Sequence, residues 1–452
     1  MSLKIVGQRK KRYDGLSHVT GETRFVDDVR IPGTLTVKVY RSPVVKGKIK
    51  NIDTSAAERL PGVAGIITHE DVPFNGYGMI PDQPVLAEEV RYKGQPIAAV
   101  AAMDEDTAVA GAALIKADIE EEEPVFDLFE AMKPDAPKVR PEGNVYQYGD
   151  RNFRQIKVGD IEAGFKQADH IIEGEYFHPA LEHAQMEPQT SLAVPEADGR
   201  LTIYTVSQAM YFHLRQLAAV LAVKPGDLSI VSKWAGRTKE NWRGGLNDIK
   251  YVGGTVGGGF GGKGDIHADH ITALLALKTG QPVKWRWTRE EEMLYSTYRG
   301  VWQIRIKDGV RKDGKIIARQ VRSIRDAGAY SNLNPYVVDK HCFMVNGPYN
   351  IPNIHIQGYC VYTNKPPSGA MRGFGVTPAT FAVEIQMNKI AHELGMSQWE
   401  IRFINAVQNG DKTATGKVLD SVYLIEVMQG LAKKAGVELP EKLMNMTSDQ
   451  KG

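Results

Sequence analysis

The stretch VGGGFGGKG, residues 256–264, decides the fold because six of its nine residues are glycine. Glycine carries no side chain, so such a loop exposes backbone N–H groups and lets a ligand approach the chain closely. A strand precedes the loop, and a helical pattern at about 265–278 follows it, with Asp265 as a possible N-cap. Three interpretations compete: a phosphate-binding P-loop, a dinucleotide-binding loop and a tight structural turn.

Neither nucleotide pattern is complete. Residues 257–263 fit GxxxxGK, but the next residue is Gly264, whereas a P-loop needs a serine or threonine hydroxyl there for magnesium. Residues 257–262 fit GxGxxG, but the first carboxylate after the following strand is Glu290, 28 residues beyond Gly262, against about 20 in dinucleotide folds. A nucleoside triphosphatase is therefore disfavoured, and the dinucleotide pattern is weak.

A second glycine-flanked segment, PPSGAMRGFG at 366–375, leads directly into a helix. The pattern predicts Thr377 as the N-cap, Pro378 as the first helical residue and Gly395 as the end of the helix. Its apolar stripe consists of Val383, Met387, Ile390, Ala391 and Leu394. An arginine at a helix N-terminus, here Arg372, suits an anionic oxygen or phosphate; a salt-bridged surface arginine is the alternative.

Two histidines, His267 and His270, stand three residues apart with Asp265 and Asp269 beside them, so a metal site is conceivable. No third ligand is indicated. We expect these side chains to lie on an exposed, solvated helical turn. The sequence contains no GxSxG nucleophile elbow and no HExxH pair, so hydrolase functions have little support.

Composition excludes several classes of protein. The 452 residues are 42% hydrophobic and 24% charged, as in a folded chain of about three domains. The net charge of +2 gives no field that would attract nucleic acid or an anionic membrane. Two cysteines, Cys342 and Cys360, cannot hold a four-cysteine iron–sulfur cluster, so any such cluster must lie on another chain.

No secretory signal or membrane span is predicted. The basic N-terminus lacks a following apolar stretch, and runs such as 96–103 are much shorter than a span of about 20 residues. We therefore expect a cytoplasmic protein.

Helices are also predicted at 105–117, with Asp104 as N-cap, and at 211–223. The segment KWAGRTKENWRGGLND, about 233–248, has no assigned role.

Three motifs together, Ser207-Gln208, residues 256–263 and residues 370–375, resemble the molybdenum-binding part of the xanthine dehydrogenase and aldehyde oxidase family, and they occur in the family's order. Residues 14–35, 60–73 and 90–102 resemble the family's hammerhead domain. The resemblance spans about 10–410 and implies an α+β fold. We expect a hammerhead domain at 1–130, a linker at 131–145, a first molybdopterin-binding domain at 146–435 and a flexible tail at 436–452.

The resemblance implies a molybdopterin cofactor with molybdenum, as the cytosine dinucleotide in bacterial members. Gln208 would donate a hydrogen bond to an oxygen on the metal without being a direct metal ligand. Phe260 would stack on the substrate ring. Arg372 would lie by the metal centre, and Phe374 would meet the ring edge to face. The remaining residues assigned to the cofactor are glycines, whose lack of a side chain lets the cofactor approach the backbone, namely Gly258, Gly259, Gly261 and Gly373.

The implied reaction is hydroxylation of an N-heterocycle or aldehyde with oxygen from water. Hydride passes to a sulfido or selenido ligand of molybdenum, and electrons leave to 2Fe-2S clusters and FAD on partner subunits. The family's catalytic glutamate lies in a GxGE-like segment that is absent here, so we expect a split enzyme in which a second molybdopterin-binding chain supplies this base. The alternatives are a reductive, dehydroxylating member of the family and a scaffold without cofactor.

Three positions bear on the substrate. Gly264 replaces the glutamate of purine-oxidising members, which puts xanthine in doubt. Gly373 replaces the copper-binding cysteine of carbon monoxide dehydrogenases, which argues against that branch. Lys340 lies roughly where purine members place a substrate-contacting arginine, so it is a candidate partner for a substrate carboxylate; an exposed surface lysine is the alternative.

Overall fold

The computed structural model describes residues 4–221 and 249–449. The unassigned segment 233–248 lies outside the described residues. The chain divides into two compact units, each formed from two separate parts of the sequence. The first unit comprises Met1–Glu122 with His183–Ser296, and the second comprises Glu123–Glu182 with Thr297–Gly452.

The described residues form mixed helix and sheet. The strands are β1 Leu35–Arg41, β2 Gly47–Asp53, β3 Val63–Ile67, β4 Glu89–Val90, β5 Pro96–Ala102, β6 Lys116–Glu121, β7 Arg154–Val158, β8 His170–His178, β9 Thr190–Pro195, β10 Leu201–Thr205, β11 Ile249–Gly253, β12 Val283–Arg286, β13 Trp302–Val310, β14 Ile316–Gly328 and β15 Asn353–Tyr362. The helices are α1 Gly15–Thr20, α2 Ser55–Glu58, α3 Glu105–Leu114, α4 Leu128–Ala131, α5 Ile161–Lys166, α6 Met210–Val220, α7 Asp269–Thr279, α8 Arg289–Tyr295, α9 Asn334–Met344, α10 Val376–Glu393, α11 Gln398–Asn405, α12 Leu424–Lys434 and α13 Glu441–Met444. Single 3-10 turns lie at Val26–Asp28 and His69–Asp71.

The first unit is built on a seven-stranded mixed sheet in the order β11-β10-β9-β12-β1-β5-β3. Strands β10 and β11 run parallel, while β9 is antiparallel to both β10 and β12. Helix α7 packs on this sheet, and its residues from Asp269 to Leu277 are all buried. A three-stranded sheet, β4-β2-β6, completes the unit. The seven-stranded sheet holds the glycine-rich loop, which follows β11.

The second unit is built on a five-stranded sheet in the order β7-β15-β14-β13-β8. Strands β14 and β15 are parallel and the other neighbours are antiparallel. Helices α9 and α10 pack on the sheet, where α10 buries Val383, Met387, Ile390 and Ala391, four members of its predicted stripe. This packing fixes the segment 366–375, which leads into α10.

The helix predictions were correct in place and wrong at four ends. The helix predicted at 211–223 is α6, which ends at Val220 with Leu221 as its C-cap. Asp104 caps α3 as predicted and accepts a hydrogen bond from the Thr107 N–H, but the helix ends at Leu114 because β6 begins at Lys116. Asp265 is not a helix cap, because α7 begins only at Asp269. Thr377 is not the N-cap of α10 either. Gly375 takes that position, with a φ of 74° that favours glycine.

Within the segment predicted as a tail, α13 buries Leu443 in a cluster with Phe403 and Ile425. Ser448 is buried as well, and its hydroxyl donates to Glu426 at 2.5 Å. The domain boundaries drawn from the sequence stay a prediction. Over residues 4–221 and 249–449, no helix combines the length and the apolar character needed to cross a bilayer.

Candidate functional site

Gln208 lies at the edge of the first unit's large sheet, between the end of β10 and the start of α6. Its backbone N–H donates to the Lys263 carbonyl at 3.0 Å, which ties it to the glycine-rich loop. Its side-chain oxygen Oε1 accepts from the N–H groups of Gly261 at 2.9 Å and Lys263 at 3.2 Å. Two backbone donors fix the carboxamide orientation, so Nε2 must be the group that faces away from the loop. Within the described part of the chain, Nε2 has no hydrogen-bond partner.

Several backbone N–H groups of the glycine-rich loop already donate hydrogen bonds within the protein. Gly257 N–H donates to Glu187 Oε2 at 2.7 Å, and the N–H groups of Gly262 and Gly264 donate to carbonyls within the loop. The Gly261 and Lys263 N–H groups are taken by Gln208. Five of the loop's backbone N–H groups, those of residues 257 and 261–264, are therefore used within the protein, and one of their acceptors is a carboxylate.

Lys263 is buried, and its ammonium group is paired inside the protein. Its side chain is 0% exposed, and Nζ forms an ion pair of 2.7 Å with Glu187 Oε2. Burial lowers the pKa of Lys263, while the facing Glu187 carboxylate opposes that effect. Gln189 Nε2 donates to the Gly262 carbonyl at 2.8 Å from the same side. Because this lysine cannot reach an external phosphate, the P-loop interpretation is excluded.

Phe260 is presented outward at the turn of the loop. Its backbone has a φ of +52°, a left-handed conformation that is unusual for a residue with a side chain, and the residue is 45% exposed. Gly258 lies beneath it, since a Cβ there would approach the Phe260 ring at 3.2 Å and Gln185 at 3.3 Å. A large apolar ring held outside the core, one residue before the Gly261 N–H that donates to Gln208, suits a planar ligand.

Gly259 is the glycine on which the Gln208 position depends. A Cβ at residue 259 would lie 2.5 Å from Gln208 Oε1 and 2.6 Å from Cδ. Such distances are far inside van der Waals contact, so any larger residue would displace the carboxamide. The sequence pattern therefore serves close packing of Gln208 on the loop.

A buried polar cluster lies behind the loop. His213, on α6, is 1% exposed, and Asp269, at the start of α7, is 2% exposed. His213 Nδ1 lies 2.8 Å from Asp269 Oδ2, and Nε2 lies 3.2 Å from the Lys263 carbonyl oxygen. Burial raises the pKa of Asp269, but the facing His213 and the hydrogen bonds from His213 and Thr205 outweigh it and leave that pKa lowered.

The predicted solvation of His267 and His270 is wrong, because α7 and the turn before it are buried. His267 packs edge-on against Trp287 at 5.7 Å between ring centroids, and His270 against Tyr77 at 4.7 Å. Asp265 is buried too and accepts from Gln216 at 3.0 Å. In residues 4–221 and 249–449, no group of three or more His, Cys, Asp or Glu side chains is arranged to hold a metal ion.

These buried histidines predict acid sensitivity. Burial lowers the pKa of His267 to about 4 and of His270 to about 3, from 6.5. Below pH 6.5 the unfolded chain binds protons that the folded chain does not, so the free energy of unfolding falls as pH falls towards these values. Each group contributes a slope of up to about 1.4 kcal/mol per pH unit.

We expect His270→Phe, which keeps a ring against Tyr77, to flatten this dependence by about 1 kcal/mol between about pH 6.5 and 5.5. Urea unfolding at both pH values measures it. Parallel stability profiles for the wild type and the variant would show that His270 is not kept neutral by burial.

The second unit carries the arginine segment. Arg372 is exposed four residues before the start of α10, and its backbone carbonyl accepts from the Arg299 guanidinium. Gly373 has a φ of 82°, and a Cβ there would overlap Thr377 Oγ1. Its carbonyl accepts from the Val376 N–H at 2.7 Å, which closes the turn around the partly exposed Phe374. The residues of the RGFG motif are thus held by one tight turn.

Arg325, which is buried, holds the segment 366–375 in place by hydrogen bonding. It is 1% exposed, its Nε donates to Asn334 Oδ1 at 2.6 Å, and NH2 donates to the Gly369 carbonyl at 2.8 Å. Lys340 lies in the same unit, exposed on α9. Its role at a substrate stays a prediction.

The predicted residues thus fall into two groups. Gln208 meets Gly259 and Gly261 in the first unit, with Phe260 and Gly258 beside them. Arg372, Gly373, Phe374 and Lys340 belong to the second unit. Sequence reasoning missed the role of the residues that hold these motifs, namely Glu187, Gln189, His213, Asp269 and Arg325. Asp269 entered only as a neighbour of the two histidines, and the one signal for His213 was a polar residue within the apolar segment 211–223.

Two family models match the chain. One, described as the molybdopterin cofactor-binding domain, matches residues 144–237 and 244–406. The other, described as the aldehyde oxidase and xanthine dehydrogenase a/b hammerhead domain, matches residues 20–123. Together they span the glycine-rich loop, Gln208 and the arginine segment.

Curated relatives and solved structures agree with these models. The chain is 34% identical over 435 residues to the nicotinate dehydrogenase large molybdopterin subunit of Eubacterium barkeri, which covers 95% of this chain and 96% of that one. It is 37% identical over 394 residues to a probable xanthine dehydrogenase subunit of Bacillus subtilis, covering 86% of this chain and 49% of that one. The aldehyde oxidoreductase structure from Desulfovibrio gigas superposes with a TM-score of 0.85 at 29% identity, covering 95% of this chain and 46% of that chain. The chain therefore spans about half the length of the last two proteins.

Proposed function

Because this chain belongs to the aldehyde oxidase and xanthine dehydrogenase family of molybdopterin-binding oxidoreductases, we propose that it is the large cofactor-binding subunit of a cytoplasmic, multi-subunit hydroxylase acting on an N-heterocycle or an aldehyde. The fold class expected from the sequence, a hammerhead domain and a first molybdopterin-binding domain, is confirmed. We assign the cofactor as the cytosine dinucleotide form of molybdopterin.

The observation that carries the proposal is the orientation of Gln208. Both hydrogen bonds to Oε1 come from the loop, so Nε2 offers its hydrogens to a ligand in front of the loop. A neutral amide can donate to a metal-bound oxygen without titrating or displacing a ligand. These residues fit the cofactor: an oriented donor stands beside glycines, and a Cβ at residue 259 would displace that donor. When bound, the cofactor would supply the redox chemistry that inserts an oxygen atom from water.

Phe260 would orient the substrate. Its exposed ring provides a flat apolar face on the loop that binds Gln208, and stacking on it would hold an aromatic substrate in one plane. Gly264 leaves no carboxylate at the loop's end to hydrogen-bond a purine. In the second unit, we assign Arg372 and Gly373 to the cofactor and Phe374 to the substrate. Lys340 is our candidate partner for a substrate carboxylate.

The partners are part of the proposal. We propose a second molybdopterin-binding chain, which brings the catalytic glutamate, and further subunits with 2Fe-2S clusters and FAD. The match along nearly the whole large subunit of Eubacterium nicotinate dehydrogenase supports this division. Both cysteines of the present chain, Cys342 and Cys360, are buried, so neither is placed to ligate a cluster at the surface.

The direction of oxygen transfer can be tested by isotope labelling. The natively purified complex is incubated in water enriched in oxygen-18 with an artificial two-electron acceptor and with nicotinate, an aldehyde or a purine, and the products are analysed by mass spectrometry. We expect label in a hydroxylated product, and nicotinate or another N-heterocycle as a better substrate than the purine. Product oxygen from dioxygen would overturn the proposal. In a second reaction, a hydroxylated substrate is supplied with a low-potential electron donor; loss of its oxygen there, without the forward reaction in the first, would favour the reductive alternative.

Phe260→Ala is expected to raise KM by about tenfold, with a smaller effect on kcat, because the lost stacking area stabilises the bound substrate. Steady-state kinetics of the complex measure both constants. Phe177→Ala is the matched control, since that ring is 57% exposed and belongs to no motif. An unchanged KM in Phe260→Ala would remove Phe260 from the substrate site.

A further inference from the structure

We infer that His213 is a positioning residue for Gln208, and that Asp269 holds the His213 ring in the orientation this requires. The inference rests on the function proposed for Gln208. It adds two residues, on α6 and α7, that belong to none of the three sequence motifs. Both are almost completely buried, so neither can contact substrate directly.

The connection between His213 and Gln208 runs through one carbonyl. The Lys263 carbonyl oxygen accepts from the Gln208 backbone N–H at 3.0 Å and faces His213 Nε2 at 3.2 Å. The N–H of the same residue, Lys263, donates to Gln208 Oε1 at 3.2 Å. A change in the position of residue 263 therefore moves both the backbone and the side chain of Gln208. His213, which is almost completely buried, contacts this carbonyl from inside the unit.

Asp269, at the end of the connection farthest from Gln208, is also held in place. Asp269 Oδ2 lies 2.8 Å from His213 Nδ1, and Oδ1 accepts from the Thr205 hydroxyl at 2.7 Å. The Tyr251 hydroxyl donates to Oδ2 at 3.3 Å. Thr205 is the last residue of β10 and Tyr251 lies in β11, so the carboxylate is anchored to the sheet. The sheet thus fixes the orientation of the His213 ring through Asp269. The ring fixes the position of Lys263, and Lys263 fixes the orientation of the Gln208 carboxamide.

A pair of amide substitutions separates positioning from space filling. The side-chain nitrogen of glutamine reaches about as far from the backbone as histidine Nε2, and that of asparagine about as far as Nδ1. His213→Gln can therefore keep the contact with the Lys263 carbonyl, whereas His213→Asn keeps only the contact with Asp269. Both variants remove the ring and leave a neutral amide. Thr272→Val is the control for the loss of buried hydrogen bonds in α7. It removes the 3.0 Å bond to Ser191 and the bonds of the hydroxyl to the Ala268 and Asp269 backbone carbonyls, but it leaves the Asp269 carboxylate and the loop untouched.

The first measurement is hydrogen exchange of the peptide that covers residues 257–264 in the full chain. We expect exchange about tenfold faster in His213→Asn, and exchange within about twofold of wild type in His213→Gln and Thr272→Val. Equal exchange in the two His213 variants would overturn the inference. If either His213 variant fails to fold, Thr205→Val tests the Asp269 anchor. We expect about fivefold faster exchange in the same peptide, and exchange within about twofold of wild type would overturn the role of Asp269.

The second measurement uses the complex. We expect His213→Asn to lower kcat about tenfold with KM within about twofold of wild type, and His213→Gln to restore most of kcat, since Gln208 acts on the cofactor and not on substrate binding. Rescue by asparagine and not by glutamine would overturn the inference. If the wild-type complex contains no molybdenum, the proposed function fails, while the exchange result still decides whether His213 positions the loop.

Discussion

Replacing Gln208 by glutamate is expected to lower kcat about 100-fold or more, in line with the loss of one preorganised donor at a reacting centre. Glutamate keeps an oxygen that can accept from the Gly261 and Lys263 N–H groups, but it lacks the Nε2 donor. The loop should therefore stay in place while the donor is lost. Steady-state kinetics of the assembled complex measure the effect.

Gln208→Ala provides the comparison. It removes the acceptor as well as the donor, so we expect a similar loss of kcat together with faster hydrogen exchange at residues 261 and 263. Gln147→Glu introduces the same charge at an exposed glutamine outside the motifs and serves as the control. Turnover of Gln208→Glu at the wild-type rate would show that Nε2 has no role at the cofactor.

Gly259→Ala is expected to lower kcat by about 100-fold as well, because the added methyl group would lie 2.5 Å from Gln208 Oε1 and push the carboxamide off the loop. The displaced atoms belong to a flexible side chain, so the fold should survive. Gly254→Ala is the control, since the nearest atom to its Cβ would be Val26 Cγ2 at 4.0 Å.

The double variant tests the cause. If Gly259→Ala acts only through Gln208, Gly259→Ala/Gln208→Ala should be no slower than Gln208→Ala, so the two effects are not additive. If the loss of kcat in the double variant equals the product of the two single losses, residue 259 contributes independently of Gln208, for instance through direct contact with the ligand. Thermal unfolding of each variant checks that the fold is intact.

The motifs themselves were visible in the sequence because they depend on local backbone chemistry. Gly373 and Gly375 take positive φ values of 82° and 74° in one turn. The glycines before a helical stripe had marked this segment as the one that leads into the helix. The same local reasoning placed the helix cap at Thr377. It is Gly375 that caps the helix, because its positive φ brings the chain into the helix two residues earlier.

Burial of polar groups could not be predicted, since it depends on contacts distant in sequence. Asp269 is paired with His213, 56 residues away, and Lys263 with Glu187, 76 residues away. Two histidines beside carboxylates indicated an exposed turn, but α7 is buried from Asp269 to Leu277, and so His270 lies in the core. The sequence therefore indicated which residues are candidates to meet a ligand, while the structure reveals which residues hold them.

The central claim is that this chain binds molybdenum through its cofactor within a complex. Elemental analysis of the natively purified complex tests it most directly, with molybdenum, iron and selenium scored together with the co-purifying chains. We expect molybdenum in equal amount to this chain, together with iron and partner subunits. A fully assembled, matured complex that contains no molybdenum would contradict the claim, and the glycine-rich loop would then be only a structural turn that packs against Gln208.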